Sequence, residues 1–166
     1  LANRHPRVNI LTPGVGVGGH CIAVDPWFIV AKDPINARLI HAARTVNDYK
    51  TEWVIRRIAE KITHLHLSLK RKPKVACLGL AFKPDIDDLR ESPALMVALQ
   101  LLNQDCELVA VEPNIESHEK IKLITLDEAI EKSDLLVMLV KHRDFVYAFQ
   151  DGRFAKSNSL DFCGIL

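Results

Sequence analysis

A cysteine closes a glycine-rich run in LTPGVGVGGHCIAVDPW, Leu11 to Trp27, and an aspartate follows it four residues later. Gly14, Gly16, Gly18 and Gly19 let the backbone turn tightly and approach a ligand closely. Successive N–H groups in such a loop can hydrogen-bond a ligand's oxygens or a developing oxyanion. Cys21 is a candidate nucleophile, because a helix starting near it would favour the thiolate. Asp25, one helical turn further on, falls on the same side. A carboxylate there can orient or deprotonate the water that attacks an acyl-cysteine. The residues alone leave a second reading open, in which Cys21 is a packed thiol and Asp25 a cap before Pro26. Gly14, Gly16 and Gly19 also satisfy G-x-G-x-x-G in form, but a dinucleotide fingerprint needs a strand, an unbroken helix and a second strand. Pro26 and Pro34 interrupt the downstream segment, and a long helical pattern follows where a strand is required. A free-standing thiol hydrolase fits poorly, since His20 is adjacent to Cys21 and neighbours in sequence rarely face each other.

The elements that would position these groups can be read from periodicity. From Asn36 to about Leu67, apolar residues such as Leu39, Val46, Trp53, Val54, Ile58 and Ile62 recur at threes and fours, which predicts one long helix, with Pro34 just before its start. A helix of roughly 32 residues is about 48 Å long, and its broad apolar stripe suits packing against another chain or a further domain; a twofold partner, and so dimerisation, is the expectation. LKRKPK (Leu69–Lys74) reads as a linker. Strand-like and helical segments then alternate: KVACLGL, SPALMVALQLLN, CELVAVEP, TLDEAIEKS, DLLVMLV, RDFVYAF and SLDFCGI. Ser92 is placed to N-cap the first of these helices, with Pro93 at its first position. The alternation predicts an α/β fold, a parallel sheet with helices on both faces. Ligands in such folds bind at the carboxyl ends of strands, which directs attention to GLAFKPDIDDLRESP, Gly79 to Pro93.

Composition sets limits. The 166 residues carry 22 basic and 21 acidic side chains, a formal charge of +1. That balance gives no electrostatic case for nucleic acid or a membrane surface, and no apolar run approaches the ~20 residues of a membrane span. Cys21, Cys77, Cys106 and Cys163 lie far apart with no metal-ligand spacing, which points to a reducing, cytoplasmic setting without disulfides. Asp85, Asp87 and Asp88 lack the glycine and terminal glutamate of a calcium loop and read as loop and cap residues, so no metal is expected. The chain opens in mid-pattern without Met and reads as a piece of a longer protein.

Two stretches carry a family resemblance. GVGVGGHCIAVDPWF resembles the nucleophile loop of the UDP-glucose/GDP-mannose dehydrogenase family, in the form of its UDP-N-acetyl-D-mannosamine branch. GLAFKPDIDDLRESP resembles that family's signature in its C-terminal UDP-binding domain. The resemblance implies a Rossmann-like C-terminal domain at 69–166, a dimerising helix at 35–68, and the end of a middle domain with the nucleophile loop at 1–34. It implies two-step oxidation of the sugar's primary alcohol to a uronate with NAD⁺, by way of a thioester on Cys21, with Asp25 supporting the water. It carries substrate contacts onto His5, Arg7, Gly18, Phe82 and Lys83, and an NAD contact onto Arg90, whose alternative is an ion pair with Asp87, Asp88 or Glu91. It further implies a homodimer, a UDP-sugar ligand and a role in surface polysaccharide synthesis. The family's N-terminal NAD-binding domain has no counterpart in these residues, so the piece alone is expected to be inactive. The alternative is a non-catalytic UDP-sugar-binding or dimerisation module, which would have no need of Cys21 and Asp25.

Overall fold

The computed structural model describes residues 4–7, 10 and 12–166. Leu11, which opens the glycine stretch, and residues 1–3, 8 and 9 of the expected 1–34 segment lie outside the described residues. The first helix, α1 (Asp25–Lys32), corrects the reading of Pro26 as an interruption. Pro26 stands in the first turn, where its missing N–H would have had no partner and its fixed φ suits the helix. Pro34 lies in the turn that follows, where Asp33 accepts the amide of Asn36. The long helix α2 therefore starts at Arg38, slightly later than its periodicity suggests, and runs to Leu69. Lys70 ends it in the left-handed conformation.

Strands β1 (Lys74–Leu78), β2 (Glu107–Val111), β3 (Leu135–Met138) and β4 (Ser159–Asp161) form one sheet in the order β2-β1-β3-β4, parallel throughout. Helices α3 (Pro93–Leu101), α4 (Leu126–Lys132) and α5 (Arg143–Gln150) complete the alternation. The strands read as continuous apolar runs because both sheet faces are covered. Val75 and Cys77 of β1 point toward Val54, Ile58 and Ile62 of α2 and Val97 and Leu101 of α3. Ala76 and Leu78 point the other way, toward Ala129 of α4 and Phe145 and Ala148 of α5. Burying a side chain the size of Ile58 or Phe145 stabilises by roughly 1.5–3 kcal/mol. The Ser92 cap forms as its sequence suggests, accepting the amide of Leu95. The last strand is shorter than SLDFCGI implied: it ends at Asp161, which pairs with Met138 and whose carboxylate accepts the amides of Cys163, Gly164, Ile165 and Leu166 at 2.7–2.9 Å. Burial alone would raise that carboxyl, but the four N–H groups prevail and lower it.

Candidate functional site

β1 leads by way of α3 to β2 on one side, whereas β3 lies on its other side. A crevice therefore opens at the carboxyl ends of β1 and β3, where ligands bind in open α/β sheets. It is a cleft of about 340 Å³, walled by the glycine loop from Thr12 to Gly18, by Ala81–Pro84 after β1, by Leu139–Lys141 after β3, and by Cys163. Among the described residues its charged lining side chains are Lys83 and Lys141 alone. Lys141 also donates to the carbonyl of Gly164, tying the end of β3 to the terminal loop that Asp161 organises.

The glycine loop is held from two sides. Asn47 of α2 accepts the amide of Val17 at 2.7 Å and donates to its carbonyl at 3.2 Å, so one side-chain amide fixes a whole residue. Thr51, one turn on, donates to Val15's carbonyl at 3.0 Å, and Arg44 reaches the carbonyl of Ile22 at 3.5 Å. These polar anchors lie on the same face of α2 as Val54, Ile58 and Ile62, which pack on the sheet. From the other side the loop meets the β1–α3 segment. A Cβ on Gly18 would stand 2.6 Å from Pro93 Cδ and would collide with the carbonyl oxygen of Glu91. Gly19 adopts φ +92°, and a Cβ there would meet the Phe82 ring at 2.9 Å. Gly18 is buried in this contact and also lines the cleft.

The segment after β1 is shaped by a buried carboxylate at the end of β2. Glu112 accepts the amides of Leu80 at 2.7 Å and Ala81 at 3.1 Å, and its other oxygen accepts the amide and side chain of Asn114. His142 Nε2 lies 3.1 Å from the same carboxylate. Burial opposes the charge on Glu112, but the hydrogen bonds from His142, Leu80 and Ala81 outweigh it and bring the carboxyl to about 2. Ser92 donates to Leu80's carbonyl at 2.6 Å while capping α3. Asp85, at φ +60°, accepts Arg143's amide at 3.0 Å and its Nε at 2.9 Å, and so caps α5 as well as turning the loop.

The structure brings only some of the expected site residues together. Gly18, Phe82 and Lys83 line the cleft. Cys21 is exposed and does not itself line the cleft, though its neighbour Ile22 does; it lies in the turn that leads into α1, and its carbonyl accepts the amide of Asp25 at 2.8 Å. That bond spans one helical turn, so Cys21 precedes the helix instead of sitting inside it. Asp25 is exposed in the first turn of α1. Arg90 forms the ion pair that was its alternative, gripping both oxygens of Asp88 with Nη2 at 2.6 Å and Nε at 2.9 Å. Asp88 raises the guanidinium's pKa, with a smaller contribution from the nearby Cys21, and the same pair draws Asp88 down to about 2. His5 and Arg7 are exposed and bonded to each other through Arg7's amide and His5 Nδ1 at 3.3 Å, and they do not line the cleft. Lys141, Asn47, Glu112 and His142 were not anticipated. Lys141 directly follows the buried run DLLVMLV, three residues past the end of β3, a region where ligand contacts concentrate, but the others pair across about 30 residues.

Among the described residues no group of His, Cys, Asp and Glu could hold a metal, and no helix is long and apolar enough to cross a membrane. Residues 76–165 match the UDP-binding domain of the UDP-glucose/GDP-mannose dehydrogenase family, and residues 1–49 match its central domain. The chain is 50% identical over 159 residues to UDP-N-acetyl-D-mannosamine dehydrogenase of Campylobacter jejuni, covering 91% of this chain and 38% of that protein. It is 56% identical over 154 residues to the enzyme of the same name from Yersinia pestis, covering 87% of this chain and 37% of that one. The fold superimposes on the UDP-N-acetyl-mannosamine dehydrogenase Cap5O from Staphylococcus aureus with a TM-score of 0.78 at 37% identity, over 99% of this chain and 38% of the other. The chain thus spans somewhat over a third of the length of these relatives. The switch-point cleft, the glycine loop against it and these matches agree: the chain belongs to the UDP-glucose/GDP-mannose dehydrogenase family.

Proposed function

We propose that this chain is the C-terminal part of an NAD-dependent UDP-sugar 6-dehydrogenase, in which it holds the nucleotide and supplies the nucleophile. The observation that carries the reading is the cleft: largely apolar walls for a base and sugar, with Lys83 and Lys141 as its charged lining. Two ammonium groups at such a site favour a diphosphate. Phe82, with Lys83 Nζ 5.6 Å from its ring centroid, offers an aromatic face at the same mouth.

A first hydride leaves the alcohol to give the aldehyde; the Cys21 thiolate then adds to that aldehyde, and loss of a second hydride from the adduct leaves the acyl group on sulfur as a thioester. Asp25, one turn on, supports the water that releases the uronate. NAD⁺, when bound, supplies the hydride acceptor, and the resemblance assigns Arg90 to it, which would require the guanidinium to exchange Asp88 for the cofactor's anionic groups. His5 and Arg7 are assigned to a UDP-sugar through the resemblance, in a neighbouring subunit. The preferred substrate is UDP-N-acetyl-D-mannosamine, the substrate in the names of the relatives in C. jejuni and Y. pestis. The cytoplasm is the expected location.

Homodimerisation belongs to the same proposal. Leu39, Val46, Tyr49 and Trp53 are 82%, 68%, 55% and 36% exposed. At about 100° per residue, they lie some 140° around α2 from the buried stripe, where a twofold partner would cover them. The 166 residues by themselves are expected to bind nucleotide without turning over.

The test is a calorimetric titration of the chain with UDP, with AMP and NAD⁺ as controls. UDP is expected to bind selectively, and Lys83→Ala to weaken it roughly tenfold, the equivalent of about 1.4 kcal/mol. Equal affinity for UDP and AMP, or none for UDP, would overturn the reading.

A further inference from the structure

The end of β1 presents the backbone amides that a dinucleotide fold would offer to a phosphate, yet here they are already occupied. Glu112 fills that cradle with its own charge, accepting from Leu80 and Ala81 while 5% exposed. The groups around it assign the tautomer of His142, which is 1% exposed. Its Nδ1 receives the amide of Asp85 at 2.9 Å and faces the side-chain amide of Asn114 at 3.3 Å. Asp85 Oδ1 stands further off, at 3.8 Å, and accepts the amide of Arg143. With two donors aimed at it, Nδ1 must accept, so the ring proton lies on Nε2 and is donated to Glu112. One carboxylate thus fixes both ends of the segment from Leu80 to Asp85: the first two amides directly, and the amide of Asp85 through the imidazole. Phe82 and Lys83 lie between those ends.

We propose that Glu112 is a positioning residue: through His142 it holds the loop that carries Phe82 and Lys83 in its receiving geometry, and its carboxylate closes the β1 cradle to an external phosphate. The ligand's diphosphate is left to the lysines on the cleft side. The inference rests on the nucleotide-binding reading above for its effect on affinity, but not for its effect on the loop.

Glu112→Gln tests it. Gln keeps the length and one accepting oxygen but replaces the other with a donor. It then faces Asn114 with a donor, or forces His142 to shift its proton and abandon Asp85. Hydrogen exchange at the amides of Leu80, Ala81 and Asp85, followed by NMR on the chain, is expected to accelerate. The dissociation constant for UDP is expected to rise roughly 5- to 100-fold, the span one or two lost buried hydrogen bonds would produce. In the unaltered chain, the imidazole nitrogen shifts of His142 should report the Nε2–H form, a reading that needs no variant and survives a failure of Glu112→Gln to fold. Unchanged exchange at the three amides, or a proton on Nδ1, would overturn the proposal. If the unaltered chain fails to bind UDP, the function reading falls, while the exchange and tautomer data still decide the role of Glu112.

Discussion

Gly18→Ala is the most informative single change in the glycine loop. Gly18 has no positive φ, so alanine carries no backbone penalty there, and its whole cost is steric. The new methyl would lie 2.6 Å from Pro93 Cδ, against an ordinary carbon–carbon contact of about 3.5–4.0 Å, so the loop or the β1–α3 segment must yield by about 1 Å. Neither side is soft. Pro93 is the first residue of α3 and is buried, and the loop is anchored through Val17 to Asn47 and through Val15 to Thr51. Overpacking of this size costs about 1–3 kcal/mol, and for a chain this long each kcal/mol lowers the melting temperature by about 2–4 °C. The expected drop is roughly 2–12 °C. Gly14→Ala supplies the control in the same loop, since Gly14 also lacks a positive φ and a Cβ there meets nothing within 4 Å. Thermal unfolding of the two variants side by side should separate them clearly. Equal melting temperatures would refute the claim that the glycine loop is locked against the nucleotide domain at Gly18.

The four thiols should differ sharply in reactivity. Cys21 is exposed, burial raises the thiols of Cys77 and Cys163, and burial with Asp105 nearby pushes Cys106 to about 11. Thiol titration of the folded chain near neutral pH should therefore find one fast equivalent, mapped by mass spectrometry to Cys21, and the others only on unfolding. Asn47→Ala removes both hydrogen bonds to Val17 and is expected to cost about 1–2 kcal/mol, with faster exchange of Val17's amide; full protection of that amide would contradict the anchor. In acid, Glu112 should make itself felt. Its folded pKa, about 2, lies below the ordinary 4.5, so its contribution is fully present above pH 4.5 and is lost as pH falls toward 2. That contribution is on the order of 3 kcal/mol, and acid titrations of stability should steepen over this window in the parent chain and flatten in Glu112→Gln.

What the sequence disclosed was local, and what it hid was pairing at a distance. Ser92 and Pro93 announce α3 because a cap is written within four residues. The strands were legible because burial on both faces leaves no polar alternation to interpret. α1 was hidden by Pro26, which stops a helix from inside but starts one from its first turn. The end of β4 was hidden because nothing in SLDFCGI says that the Asp161 carboxylate will gather the four amides of residues 163–166 into a turn. Cys21 drew attention by its type and its glycine-rich neighbours, and Phe82 and Lys83 through the family resemblance of the motif that holds them. Asn47 and Glu112 could not, since an asparagine in a helix and a glutamate after a strand acquire meaning only when Val17, Leu80 and His142 arrive beside them.

On the function proposed above, an acidic segment must serve an anionic ligand, and the charges around the cleft bear on how. Asp85, Asp88 and Glu112 could each repel a phosphate, and each is committed elsewhere. Asp85 is held by Arg143, Asp88 by Arg90, and Glu112 by buried amides and His142. Committed carboxylates at close range contribute little net field compared with bare ones, whereas Lys83 and Lys141 face the cleft with their charge available. These three acidic side chains thus serve as structural braces that turn and pin the loop. The same braces fix Phe82 against Gly19, two residues from Cys21. A ligand that moved Phe82 would therefore press on the turn that carries the Cys21 thiol, which, on the function proposed above, couples the ligand to the posture of that thiol.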